Sequence, residues 1–176
     1  MPLEFLSMGG RDLLAYLMDH AFENGEFHSL MGNLSTVDDD TMWKARLPGS
    51  LRTIGEIALH VGSSKVMYTD YAFGSRSLTW ESPEVEPWPP EDPPMRAVLD
   101  WLREVHASLM THVRDLSDDE LSQLRMANWG EEKETRWLLS TVLQHDVYHA
   151  GEINRMRSVL AGEDRWQWQI DVGIER

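Results

Sequence analysis

His145 and His149 are the residues of this chain whose types and spacing most directly suggest chemistry. They lie four residues apart in the segment LQHDVYHAGEINRM, residues 143–156. Positions i and i+4 of an α-helix stack one above the other, so two imidazoles at this spacing can bind one metal ion from a single helix. Both also fall in the apolar stripe of their predicted helix. Because such pairs occur often by chance on helices, the spacing taken alone favours two partly buried histidines satisfied by hydrogen bonds.

A third metal ligand has to come from another helix, and His60 is the best candidate. It lies at the edge of the apolar arc of a second predicted helix, one turn after Glu56. Three neutral imidazoles leave a fourth position open, which is the arrangement of catalytic rather than structural zinc. The other histidines are weaker candidates because they flank their helices or lie too far apart: His20, His28, His106 and His112.

Glu152 is the candidate catalytic residue, since it lies about one helical turn beyond His149. At that position a carboxylate can be a fourth metal ligand, accept a hydrogen bond from an imidazole N–H, or move a proton. Glu56, on the second helix, is a candidate for the same roles. For both residues the alternative is a solvated glutamate at the edge of its helix face.

The pair also reads H-D-V-Y-H, which invites comparison with the H-E-x-x-H motif of zinc metalloproteases. Asp146 would then take the position of the general base. It is one methylene shorter than glutamate, however, and no further ligand follows at a usual spacing. We therefore interpret Asp146 as a carboxylate on the helix surface. Tyr148 lies roughly 80–100° from the ligand face and receives no role.

Composition restricts the classes of function that this chain can have. Its 176 residues carry a formal net charge of −14, which repels phosphate backbones and anionic lipid and predicts no nucleic-acid or membrane partner. The absence of cysteine excludes disulfides, thiolate metal ligands and a cysteine nucleophile. No apolar run approaches the ~20 residues of a membrane span, and no signal peptide is recognisable. We expect one domain over residues 1–176, located in the cytoplasm.

Four long helices are predicted to position these residues. Their approximate ranges, taken from apolar spacing and end signals, are 11–32, 53–73, 93–115 and 133–160. Asn24-Gly25 is expected to break or bend the first helix, and Gly162 to end the fourth. Ser117 and Glu120 fit a capping box that starts a short helix. Four helices of this length predict an all-α fold, a four-helix bundle.

The connection between the second and third helices is expected to be long and extended. Residues 82–94, SPEVEPWPPEDPP, contain six prolines, each of which lacks an amide donor and disfavours helix at the residue before it. Asp92-Pro93 is the predicted start of the third helix. No clear strand pattern is present, and the tail RWQWQIDVGIER is expected to be an irregular segment that packs on the bundle.

The order and placement of these motifs resemble the DinB/YfiT-like superfamily of metalloenzymes. The residues that carry the resemblance are His60 in TIGEIALHVG, the residues His145, His149, Gly151, Glu152 and Ile153 in HDVYHAGEI, and the segment LSTVDDDTMWKARLPGSLRTIGEIALH. The resemblance covers nearly the whole chain. It implies up-down-down-up helix connectivity, often a homodimer, and a divalent metal, zinc or nickel, on His60, His145 and His149. Glu152 departs from the family pattern, where glutamine is common, and the tryptophan-bearing tail is a second departure.

Members of this family with known activity include transferases and isomerases that use low-molecular-weight thiols, so the resemblance implies a thiol-dependent S-transferase acting on a small molecule. A metal hydrolase is the neighbouring alternative. Two alternatives from other classes are a metal-binding or stress-response module without turnover and a metal-free structural bundle. An open metal position favours the enzyme, whereas a position closed by Glu152 or by a partner chain favours the module.

Overall fold

The computed structural model describes residues 9–37, 39–88 and 93–164, and this part of the chain is mainly helical, as predicted. The α-helices are α1 (Gly10–Asp19), α2 (Leu30–Leu34), α3 (Asp40–Lys44), α4 (Ile54–Phe73), α5 (Met95–Asp115) and α6 (Thr135–Ala161). Within these ranges, no helix has the length and apolarity required to cross a membrane. The three long helices α4, α5 and α6 provide most of the residues discussed below.

The first predicted helix is interrupted where Asn24-Gly25 led us to expect a break. After α1 the chain forms a π-helical turn, His20–Asn24, and then a 3-10 turn, Glu26–His28, before α2 begins at Leu30. The Gly25 amide donates to the His20 carbonyl at 2.9 Å, which closes the wider π-type turn. The predicted break is therefore confirmed, and one predicted helix becomes two helices joined by irregular turns.

A capping box defines the start of α4, the helix that carries His60. The Thr53 hydroxyl accepts from the Glu56 amide at 3.1 Å, and the Glu56 carboxylate accepts from the Thr53 amide at 2.7 Å. The other Glu56 oxygen accepts from Arg46 at 2.5 Å. Both oxygens of Glu56 are thus engaged at the helix end, and Glu56 does not join the histidines.

A short β-hairpin precedes α6 and corrects the prediction that the chain has no strands. Strand β1 (Leu124–Met126) pairs antiparallel with β2 (Glu132–Glu134), and Gly130 in the turn has a φ of +88°. Because residues 132–134 belong to the hairpin, α6 begins at Thr135, two residues later than predicted. Its end is as predicted: Gly162 adopts a left-handed conformation with a φ of +69°.

The remaining segments agree with the sequence at their helix starts but not throughout the proline-rich connection. The capping box between Ser117 and Glu120 starts a 3-10 helix, Asp118–Ser122. Helix α5 begins at Met95, immediately after Pro94. The proline-rich connection was expected to be extended, and this is wrong for its first residues: the amides of Val85 and Glu86 both donate to the Ser82 carbonyl at 2.9 Å and close a turn. Residues 89–92, with the predicted start at Asp92, and the tail from residue 165 lie outside the described residues.

The core lies where α4 packs against α5 and α6. Helix α6 in addition contacts α1 and α2, so it is covered on several sides. Ile57 and Val61 of α4 and Ile153 of α6 are fully buried. They come within a turn of the predicted ligands in sequence, so the histidines lie beside the apolar core rather than on a free surface.

The close contact between α4 and α5 depends on Gly62. A Cβ atom at this position would overlap the ring of Trp101 on α5. We expect Gly62→Ala to lower the free energy of unfolding, because overpacking costs about 1–3 kcal/mol and outweighs the gain of about 1 kcal/mol in helix propensity. Urea denaturation measures this. Gly151→Ala on α6 is the matched control: its Cβ would meet nothing within 4 Å, so stability should stay equal or rise. Equal effects of the two substitutions would contradict the packing argument.

Candidate metal centre

The structure brings together the three histidines that the sequence selected. The Nε2 atom of His145 lies 3.2 Å from Nε2 of His60 and 3.2 Å from Nε2 of His149. The three ligand atoms all lie within 4.8 Å of one another. His149 is buried, whereas His60 and His145 are half-buried. Helix α6 contributes two of the imidazoles from one face, and α4 contributes the third across the helix–helix contact.

Two of the three spacings between these nitrogens fit a tetrahedral metal ion. Zn–N bonds of about 2.0–2.1 Å at tetrahedral angles separate two ligand nitrogens by about 3.3–3.4 Å. Two of the Nε2 separations, at 3.2 Å, come close to that value. Nitrogen lone pairs that face one another at this distance repel unless a proton or a cation lies between them. The donor set therefore suits a divalent cation such as zinc or nickel.

The orientation of His149 is set by Glu152. Its Nδ1 atom lies 2.7 Å from the Oε2 atom of Glu152. A carboxylate only accepts, so Nδ1 carries the proton and donates, and Nε2 keeps the lone pair that a metal requires. Because Nδ1 and Nε2 are on opposite edges of the ring, Glu152 lies away from the Nε2 cluster. Of the roles considered for Glu152, this contact corresponds to the hydrogen-bond acceptor, and its catalytic role stays a prediction.

The surroundings keep two of the imidazoles neutral. Burial lowers the pKa of His60 to about 4, helped by the charge of Arg52 and opposed by that of Glu152. Burial also lowers the pKa of His145 to about 3, with further contributions from its histidine neighbours. Both rings are therefore unprotonated near pH 7, which is the form that binds a metal ion.

The other histidines do not join this cluster. His20 stacks on Tyr16, and His112 stacks on Phe73 with ring centroids 5.2 Å apart. His106 is buried and contacts different partners. In the ranges 9–37, 39–88 and 93–164, the three-histidine cluster is the one group of potential metal ligands.

Sequence reasoning missed a buried ion pair next to the cluster. Lys65 of α4 donates to Asp146 of α6 at 2.5 Å, and each side chain is 1% exposed. The interpretation of Asp146 as a surface carboxylate is therefore wrong. Because α6 contacts helices on several sides, a single apolar stripe underestimates how much of it is buried. A signal was available, since Lys65 falls on the apolar arc of α4 between Val61 and Tyr68.

The ion pair continues as a polar chain through the protein. The Lys65 Nζ atom also lies 3.3 Å from Nδ1 of His106, whose Nε2 lies 3.2 Å from Asp19. Asp19 in turn accepts from Arg114 at 2.8 Å. Burial, reinforced by the Lys65 charge, lowers the pKa of His106 to about 3. A neutral imidazole can accept from Lys65 and donate to Asp19, so the chain links α6, α4, α5 and α1.

A comparison with models of protein families gives a match for this chain. The family model described as the DinB superfamily matches residues 23–153, which is most of the chain. The matched range contains the histidine cluster, Glu152, Lys65 and Asp146. No curated protein gives a significant match.

Proposed function

The chain belongs to the DinB superfamily, as its histidine motif predicted, and from this premise we propose that it is a divalent-metal-dependent enzyme acting on a small molecule. We propose zinc or nickel as the metal, His60, His145 and His149 as its ligands, and a thiol-dependent S-transferase reaction with a low-molecular-weight thiol as cosubstrate. The observation that carries the proposal is the convergence of three Nε2 atoms, one of them on a ring whose tautomer Glu152 sets.

The chemistry that a metal would supply here is Lewis acidity, which favours the anionic form of a thiol or of water. The residues of the chain provide the setting for it. His60, His145 and His149 would hold the metal as three neutral imidazoles, which would leave room for an exchangeable ligand. His60 and His145 are half-buried, so a small molecule can approach the cluster from their side. Glu152 keeps the His149 ring in its binding orientation, and we propose that it also moves a proton during the reaction.

Two alternatives differ in what they require of the site. A metal hydrolase would use the same cluster with water in place of the thiol. A module without turnover would need the open position to be closed, and Glu152 contacts the Nδ1 edge of His149 rather than the Nε2 cluster. That contact supports an enzyme over a module closed by Glu152. A metal-free bundle would instead require an N–H group of one ring to lie between the Nε2 atoms.

The finer features of the fold belong to the same proposal. We propose that the α1–α2 region, α4, α5 and α6 form a four-helix bundle with up-down-down-up connectivity. The packing of α4 on α5 and α6, together with the contacts of α6 with α1 and α2, supports this arrangement. The homodimer and the cytoplasmic location expected from the sequence stay predictions.

A turnover assay tests the proposed function. Protein loaded with one equivalent of zinc or nickel is incubated with an epoxide and a series of low-molecular-weight thiols, and thioether formation is followed by mass spectrometry. We expect metal-dependent product that is absent with the His145→Ala/His149→Ala variant. Diol formed without thiol would indicate the hydrolase instead. Loaded protein that is no faster than the variant with every thiol would contradict the enzyme proposal.

The contact between Glu152 and His149 predicts a change in metal affinity. We expect Glu152→Ala to weaken zinc binding about 10–100-fold, since loss of a partner that orients a ligand has effects of that size. Glu152→Gln should lose less, because the amide oxygen can still accept from Nδ1. Competition with a chromophoric chelator measures the affinity. Glu104→Ala, on the exposed surface of α5, removes the same charge elsewhere and should bind zinc like the wild type. Identical affinities in all four proteins would rule out the orienting role.

A further inference from the structure

The buried ion pair between Lys65 and Asp146 crosses the same helix–helix contact as the histidine cluster. Asp146 directly follows His145 on α6, and Lys65 comes five residues, about 7.5 Å of helix rise, after His60 on α4. Both members of the pair are 1% exposed, whereas His60 and His145 are half-buried. Helices α4 and α6 are therefore joined twice within a short distance, by the ion pair in the interior and by the histidines nearer the surface.

The Lys65 ammonium is held by groups from three other elements of the fold. Its Nζ atom donates to Oδ2 of Asp146 at 2.5 Å and lies 3.3 Å from Nδ1 of His106 on α5. It also lies 4.7 Å from the centre of the Phe22 ring in the π-helical turn. Phe22 and His106 stack on each other with ring centroids 3.9 Å apart. The ammonium therefore has little freedom to follow Asp146 if α6 moves relative to α4.

Asp146 has no second hydrogen bond that could replace the ion pair. Its Oδ1 atom is buried and has no hydrogen-bond partner among the residues that the structure describes. A shift that separated Asp146 from Lys65 would leave unpaired charges in the interior, which is strongly destabilising. Apolar side chains of the two helices, such as Val61 and Ile153, attract without a preferred direction and oppose such a shift less. The ion pair therefore restricts α4 and α6 to one relative position.

The geometry of the histidine cluster depends on that relative position. His145 and His149 share one helix, so α6 alone sets their spacing. The separation of 3.2 Å between Nε2 of His145 and Nε2 of His60 instead depends on how α4 lies against α6. Distances between a metal ion and its ligands have a tolerance of about 0.2 Å. A small shift between the helices would thus remove His60 from the ligand set.

We propose that the Lys65–Asp146 ion pair is a positioning element of the metal centre, which holds α4 against α6 so that His60 converges with His145 and His149. The inference rests on the proposed function and adds the residues that fix the geometry of its site. Removing both charges of the pair leaves the net charge of the protein unchanged. The expected effect on metal binding is therefore one of geometry rather than of overall charge.

Zinc affinity in a double-mutant cycle tests this role. Lys65→Met/Asp146→Leu is made with and without His60→Ala, and competition with a chromophoric chelator gives the Kd for zinc. We expect loss of the ion pair to weaken zinc binding about tenfold when His60 is present, as for other groups that orient metal ligands. In the His60→Ala background the zinc is bound by the α6 histidines alone, so loss of the ion pair should leave the Kd unchanged.

Val113→Ala is the matched control for stability. It removes buried apolar atoms from α5 in a different cluster of the core, so it should destabilise the protein and bind zinc like the wild type. The visible absorption of cobalt-loaded protein is a second readout, because it reports coordination geometry. Its tetrahedral bands should weaken in the ion-pair variant and stay unchanged in Val113→Ala. If the double variant does not fold, Asp146→Asn replaces it, since this substitution keeps the shape of the side chain and removes its charge.

The outcomes separate this inference from the proposed function. A wild-type Kd and cobalt spectrum in every ion-pair variant that folds overturns the positioning role and leaves the metal site standing. An equal weakening of zinc binding with and without His60 also overturns it, because the pair would then not act through the position of α4. An equal weakening in Val113→Ala overturns it as well, since lower stability would be the cause. Zinc that does not bind to the wild type overturns the proposed function and this inference together.

Discussion

Replacing Lys65 by methionine is expected to lower the free energy of unfolding by about 3–5 kcal/mol, the effect typical of removing one partner of a buried ion pair. Asp146 would remain 1% exposed without its cation, and its Oδ1 atom already has no hydrogen-bond partner among the residues that the structure describes. Burial raises the pKa of Asp146, and attraction to Lys65 opposes that shift. The substitution removes this attraction. The folded state is then destabilised, because Asp146 either stays charged without a partner in the interior or takes up a proton. Urea denaturation at pH 7 with a chelator present measures the loss.

The double variant Lys65→Met/Asp146→Leu is the control for this prediction. It removes both charges and fills the space with apolar atoms, so it should recover most of the stability that the single variant loses. A residual loss of about 1 kcal/mol is expected, because His106 Nδ1 would lack the partner that lies 3.3 Å away in the wild type. A single variant within 1 kcal/mol of the wild type, or a double variant no better than the single one, would show that this pair is not a strongly coupled buried interaction.

Metal binding is expected to stabilise the wild-type fold and to leave the His145→Ala/His149→Ala variant unaffected. At free zinc 100 times above Kd, the free energy of unfolding should rise by about 2.7 kcal/mol, provided that the unfolded chain does not bind. The comparison is made on each protein with and without zinc, so the intrinsic effect of the substitutions on packing cancels. Differential scanning calorimetry gives the shift in Tm.

His112→Ala is the matched control for the zinc effect. It removes a histidine that stacks on Phe73 and lies outside the cluster, so it should retain the whole stabilisation by zinc. A rise of equal size in the His145→Ala/His149→Ala variant would place the zinc elsewhere on the molecule. No rise in the wild type would argue for the metal-free bundle.

The features of the protein that were predictable from the sequence are those governed by local rules. The spacing of His145 and His149 selects one helix face, and the apolar stripe places that face toward the core. Asn24-Gly25, the Ser117–Glu120 capping box and Gly162 act within a single turn, and each has the predicted effect on its helix. His60 could be selected as the third ligand because it also lies on an apolar arc of its helix that faces the core.

What the sequence did not reveal depends on contacts between distant residues. Lys65 and Asp146 are 81 residues apart, and no periodicity pairs them. A charge on the apolar arc of α4 requires a partner, but the identity of that partner follows only from the packing of α4 on α6. The hairpin was missed for a related reason. The charged segment Glu132–Glu134 has no alternating apolar pattern, and it forms a strand because it pairs with Leu124–Met126.

Elemental analysis of the purified protein, produced without a histidine tag, tests the central claim most directly. The comparison is with the His145→Ala/His149→Ala variant prepared in the same way. We predict about one equivalent of zinc or nickel in the wild type and its loss in the variant, since three convergent imidazoles can hold one ion. The absence of metal from both proteins, even after reconstitution with divalent ions, would contradict the metal centre.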